Sequence, residues 1–87
     1  MKKQFTDSII NNGKAIDCEF KLEVAGDAPA YRLSFKPEDV NYQHFRLYKK
    51  DSGPYKFAAN AMLEEYMWLL DKEIEFNDII EKANARE

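Results

Sequence analysis

His44 is the single histidine and Cys18 the single cysteine of the 87 residues. No multi-histidine or cysteine-cluster metal site has the donors it needs, and a general base would have to act alone. Cys18 points the same way as Ile16 and Phe20 in an alternating segment, which reads as a buried, inert thiol; a nucleophilic thiol needs an exposed, electropositive setting. His44 falls on an apolar arc between Val40 and Tyr48 and reads as a packing histidine. The acidic residues Glu64, Glu65, Asp71, Glu73, Glu75, Asp78 and Glu81 contain enough carboxylates for acid–base work or a hard cation, but their spacing matches no loop motif and they read as a solvated face. The isolated glycines Gly13, Gly26 and Gly53 build no phosphate-binding loop. No nucleophile, base and oxyanion donor come together, so a catalytic role and a cofactor are not expected.

Two groups of residues suggest binding instead. Phe45-Arg46-Leu47-Tyr48-Lys49-Lys50 mixes aromatic and basic side chains as some nucleic-acid contacts do, but without a wider basic patch no nucleic-acid partner is expected. Phe57, Ala61 and Trp68 form a narrow stripe on a helix whose other apolar face is already broad. Either the last helix or the N-terminal arm covers this stripe as core, or it docks a protein partner, with Tyr42 extending the surface.

The elements that position these residues follow from periodicity. Ile16-Asp17-Cys18-Glu19-Phe20-Lys21-Leu22-Glu23-Val24 alternates apolar and charged residues strictly, as a strand with one wet face does. Turn chemistry at Ala25-Gly26-Asp27-Ala28-Pro29 leads into Tyr31, Leu33 and Phe35 on a second alternating run, so residues 16–36 read as an antiparallel hairpin. Pro37, Glu38 and Asp39 suit a first helical turn, and Lys49 and Lys50 a last one, which predicts a helix over 37–50. From Tyr55 to Lys72 the chain is rich in Ala, Leu and Met without Gly or Pro and reads as the central helix. Phe76, Ile79, Ile80 and Ala83 give a last helix to about Asn84, after a break near residues 72–75. Thr6 or Asp7 is placed to cap a short turn holding Ile9 and Ile10 before Asn11-Asn12-Gly13.

The expected fold is one α+β domain over residues 1–87. It consists of an N-terminal arm (1–15), a β-hairpin (16–36) and a helical part (37–87) with two or three helices on one face. The order is ββααα, with room for a short N-terminal helix. Apolar residues make up 45% and charged residues 33%, the balance of a folding chain rather than a disordered one. The lone cysteine and the lack of an apolar leader or a span-length apolar window lead to the expectation of a soluble cytoplasmic protein. Residues 1–50 carry a net charge of +2 and residues 51–87 one of −5. That acidic third disfavours a phosphate backbone and favours a protein partner or self-association. Neither a membrane nor a small-molecule substrate is expected.

The strand end Tyr31-Arg32-Leu33-Ser34-Phe35-Lys36-Pro37, followed by an Ala-rich run Ala58-Ala59-Asn60-Ala61-Met62-Leu63, resembles the small tail-assembly chaperones of bacteriophages and prophages over residues 16–70. That resemblance implies a non-enzymatic protein that shields apolar segments of a tape-measure-like client through its helix faces. It fixes no single functional residue. The expected function is therefore a protein-binding module acting through the Phe57, Ala61, Trp68 face. The alternative is a small acidic regulator that blocks a host macromolecule with its C-terminal surface.

Overall fold

The computed structural model describes residues 1–25, 28–37, 41–49 and 51–86. Five antiparallel strands run as a meander, each paired with the next in sequence: β1 (Gln4–Asn11), β2 (Lys14–Ala25), β3 (Ala28–Phe35), β4 (Gln43–Lys49) and β5 (Tyr55–Phe57). A 3-10 turn at Ala59–Ala61, a 3-10 segment at Glu64–Lys72 and helix α1 (Glu73–Ala85) follow.

The expected hairpin at 16–36 forms, with Phe20 opposite Leu33 and Leu22 opposite Tyr31; its turn residues Gly26 and Asp27 lie outside the described residues. The N-terminal arm is not a helix or a loose arm but a third strand. Asn12 and Gly13 have φ of 51° and 77°, and two left-handed central residues make the hairpin turn whose twist matches the strands it joins. Phe5 and Ile9 then stand opposite Phe20 and Ile16. Asp7, expected as a helix cap, instead accepts the Ser8 N–H at 2.8 Å.

The ββααα order is corrected further along. The segment read as a helix over 37–50 contains β4, while Glu38, Asp39, Val40 and Lys50 of that reading lie outside the described residues. His44-Phe45-Arg46-Leu47-Tyr48-Lys49 alternates with period two as well as fitting a helix wheel, and a run this short does not separate the two. Pairing with β3 places Leu47 against Tyr31 and Phe45 against Leu33 in the core, and that burial decides the outcome. The central helix over 55–72 is also absent. Its start is β5, Ala58 is extended, and the 3-10 segment that follows is tighter than an α-helix. Only the last helix is α-helical, three residues longer at its start than expected; the expected break falls at its junction with the 3-10 segment.

Helix α1 contacts both edge strands, β1 and β5, and covers the apolar face of the sheet between them. Phe76, Ile80 and Ala83 are buried there, with Phe76 edge-on to Phe20 at 6.1 Å and to Phe57 at 5.7 Å. Aromatic side chains each bury roughly 150–250 Å², so this ring cluster dominates the apolar stabilisation. At the helix end, Asn84 Oδ1 accepts the Lys2 N–H at 2.7 Å, and the Tyr31 hydroxyl donates to the Lys2 carbonyl at 2.8 Å, tying the chain start to the core.

Candidate functional site

Strand edges expose unpaired N–H and C=O groups, and this molecule caps several of its own with side chains. Asn77 on α1 caps β5: its Oδ1 accepts the Tyr55 N–H at 2.7 Å and its Nδ2 donates to the Tyr55 carbonyl at 2.9 Å. The Glu73 carboxylate accepts the Phe57 N–H at 2.8 Å. On β1 the Ser8 N–H is taken by Asp7. Such closures keep a sheet from adding foreign strands.

Part of the β4 edge has no neighbouring strand among the described residues. β5 pairs only with Leu47, Tyr48 and Lys49, so β4 runs on from Gln43 to Arg46 without a neighbour on that side. Because Tyr55 and Phe57 turn their N–H groups to α1, the residue between them, Lys56, is the one that faces Tyr48 of β4. Antiparallel strands alternate in this respect with period two. The backbone groups of Arg46 and His44 therefore point out of the open edge, whereas those of Phe45 and Leu47 point to β3.

A cleft of about 460 Å³ lies along this edge, between β4 and the Ala58–Met62 stretch where the chain leaves the sheet. Its two walls differ. Phe45, Phe57 and Met62 supply an apolar wall on the core side. Arg32, His44 and Arg46 supply a polar wall on the outer side of the sheet.

The outer side carries its charges in rows set by register. Lys21, Arg32 and Arg46 stand opposite one another on three adjacent strands, an arrangement of like charges that disfavours the sheet by itself. Glu23 partly offsets it, 3.8 Å from Arg32 Nε and 3.3 Å from Arg46 Nη2. One carboxylate is shared between two guanidiniums. A hydrogen bond with Tyr48, and after it Glu23, holds the Arg46 guanidinium charged beyond its ordinary range. In the neighbouring row Ser34 Oγ and His44 Nδ1 lie 2.6 Å apart. Ser34 is only 7% exposed, and no third group orients the other ring nitrogen among the described residues. The pair thus lacks the accessible nucleophile and oriented base of hydrolytic chemistry and serves to hold the His44 ring over the sheet.

The residues singled out by sequence are scattered. Phe57 is 7% exposed in β5, edge-on to Phe76, and belongs to the core. Trp68 is partly buried on the 3-10 segment, edge-on to Phe35 at 5.7 Å. Ala61 ends the 3-10 turn, and its side chain lies outside the described residues. Phe57, Ala61 and Trp68 sit on three different elements and make no common helix face. Tyr42 is 61% exposed just before β4, at the outer end of the open edge. His44 is on the wet face rather than an apolar arc, whereas Cys18 is buried as expected, its thiol pushed up to about 12 by burial and then by Asp17 and Asp7.

Sequence reading missed Arg32, Arg46 and Glu23 as a group, because their meeting depends on the register of β2, β3 and β4. It also missed Glu73 and Asn77, whose spacing of four residues on α1 matches two residues of an edge strand. The strict alternation from His44 to Lys49 was the available signal for the first.

Comparison with protein-family models, with curated proteins and with solved structures returned no match. The likeness to tail-assembly chaperones therefore rests on the quoted residues alone, and the helices it implied between Pro37 and Leu70 are β4, β5 and 3-10 segments.

Proposed function

We propose that the protein is a non-enzymatic binding module that takes an extended segment of a partner protein as an added strand on the His44–Arg46 edge of β4. The observation that carries this reading is the contrast between neighbouring strands: Tyr55 and Phe57 of β5 have their outward N–H groups capped by Asn77 and Glu73, whereas the edge of β4 at His44 and Arg46 opens into a cleft with one apolar and one cationic wall. Strand addition draws affinity from main-chain hydrogen bonds and specificity from alternate side chains. The helix face first expected to dock a partner has no part in it, since Phe57 is consumed by the core.

The alternative of an acidic blocking surface is less well supported, because three of the C-terminal carboxylates already have partners within the fold. Glu73 caps Phe57, Asp78 lies 2.9 Å from Lys82, and Glu75 lies 4.0 Å from Lys72. No helix among the described residues is long and apolar enough to cross a membrane. A buried lone thiol suits the reducing cytoplasm to which this reading assigns the protein.

The test is amide chemical-shift mapping with a peptide of alternating valine and glutamate. Strand addition predicts shifts concentrated at residues 43–46, at Ala58 and at Met62. Shifts confined to α1, or none at millimolar peptide, would refute the edge as the docking site.

A further inference from the structure

The open edge also specifies what kind of segment it accepts, an inference that rests on the strand-addition reading above. A strand laid along β4 continues the line that β5 abandons at Ala58. Its residues opposite His44 and Arg46 project on the outer side of the sheet, and the residue between them, opposite Phe45, projects on the core side. Directly opposed side chains on neighbouring strands are roughly 4.5–5.5 Å apart and interact as pairs.

On the outer side the added residues meet a surplus of positive charge. Lys21, Arg32 and Arg46 are aligned in register, Glu23 is the carboxylate shared by the two arginines, and His44 lies one row away beside Ser34. Glu19, the acidic residue of the His44 row, is two strands away from β4, opposite Ser34, and accepts a hydrogen bond from Gln4. A carboxylate opposite Arg46 completes the neutralisation that Glu23 leaves half done. A cation there would be the fourth in its row. On the core side the intervening residue meets Phe45, Phe57 and Met62, which offer apolar surface and no charge.

We infer that the partner segment is an extended acidic–apolar–acidic tripeptide, with its two carboxylates over Arg46 and His44 and its apolar side chain against Phe45 and Met62. Arg46 is the residue that sets this preference. It is half exposed and touches the rest of the fold through Tyr48 and Glu23, so replacing it leaves the core untouched.

Peptides of alternating valine with glutamate, glutamine or lysine form the test series, titrated against the full chain by calorimetry at low salt. The glutamate peptide should bind about tenfold or more tighter than the glutamine peptide, the scale of a charge-assisted contact at a partly desolvated site, and should weaken as salt rises. The Arg46→Glu variant should reverse the order, preferring the lysine peptide. Equal affinities of all three peptides for the wild-type chain, with shifts still mapped to residues 43–46, would overturn the acidic preference while leaving strand addition intact. Failure of every peptide to shift those amides would remove strand addition and this inference together. An Arg46→Glu variant that still favours glutamate would assign the preference to another group and overturn the role given to Arg46.

Discussion

The side-chain amide of Asn77 occupies the place of a sixth strand at Tyr55, accepting its N–H at 2.7 Å and donating to its carbonyl at 2.9 Å. The same Nδ2 also donates to the Glu73 carbonyl one turn back, at 2.8 Å, which fixes the amide plane. A helix side chain thus meets both main-chain groups of an edge residue. This is how a strand of three residues is held at the sheet margin.

Replacing Asn77 by Ala should therefore cost more than an ordinary surface substitution. Two edge groups of a buried tyrosine would lose their partner, a loss of about 1–3 kcal/mol. Urea denaturation measures it, and a change below about 0.5 kcal/mol, the range of neutral surface changes, would show that water replaces the amide without penalty.

Cys18 gives the fold a defined weakness to base. Its thiol is pushed up to about 12, whereas an unfolded thiol titrates near about 8.5. Between those values the folded chain keeps a proton that the unfolded chain has released, so stability falls as pH rises through that window. Burial and then Tyr31 also raise the Tyr55 phenol, which adds a loss of the same sign at still higher pH. Denaturation midpoints from neutral pH to pH 10 or so should decline in the wild type and decline less in Cys18→Ala. Parallel declines would clear the thiol.

Gly13 should resist substitution for a backbone reason alone. Its φ is 77° and an added Cβ would meet nothing within 4 Å, so space is not the constraint. Gly13→Ala should destabilise by about 1–2 kcal/mol, the cost of a left-handed L-residue. Thermal unfolding checks it. An unchanged midpoint would mean that the turn can change type without disturbing the register of Phe5 with Phe20.

The legible part of this fold was the part in which local pattern and tertiary outcome agree. Residues 16–24 alternate without exception, and Phe76, Ile79, Ile80 and Ala83 repeat at helical spacing, so hairpin and last helix were readable. Two other strands were hidden for different reasons. At Gln4–Asn11 the inward position between Phe5 and Ile9 is Asp7, which breaks the alternation, although Asn12-Gly13 carried the hairpin signal. At 43–49 the alternating residues also fit a helix, and only the pairing partner decides. The Ala- and Leu-rich run after Tyr55 has strong helix propensity, but Phe57 is taken into β5 by pairing with Leu47, and Met62, Tyr66 and Trp68 then pack against the core from 3-10 turns rather than from a continuous helix. The open edge was invisible for a related reason. It exists because β5 ends at Phe57 while β4 continues, a difference between two strands that no single segment records.

Hydrogen exchange at individual amides tests the open edge most directly. In the free protein the Arg46 and His44 amides should exchange rapidly, while those of Phe45 and Leu47, turned to β3, and of Tyr55 and Phe57, capped by Asn77 and Glu73, stay protected. Saturation with the valine–glutamate peptide should slow Arg46 and His44 together and leave the others unchanged. Full protection of Arg46 and His44 without peptide, or exchange that the bound peptide does not slow, would contradict the assignment of this edge as the place where a partner strand is added.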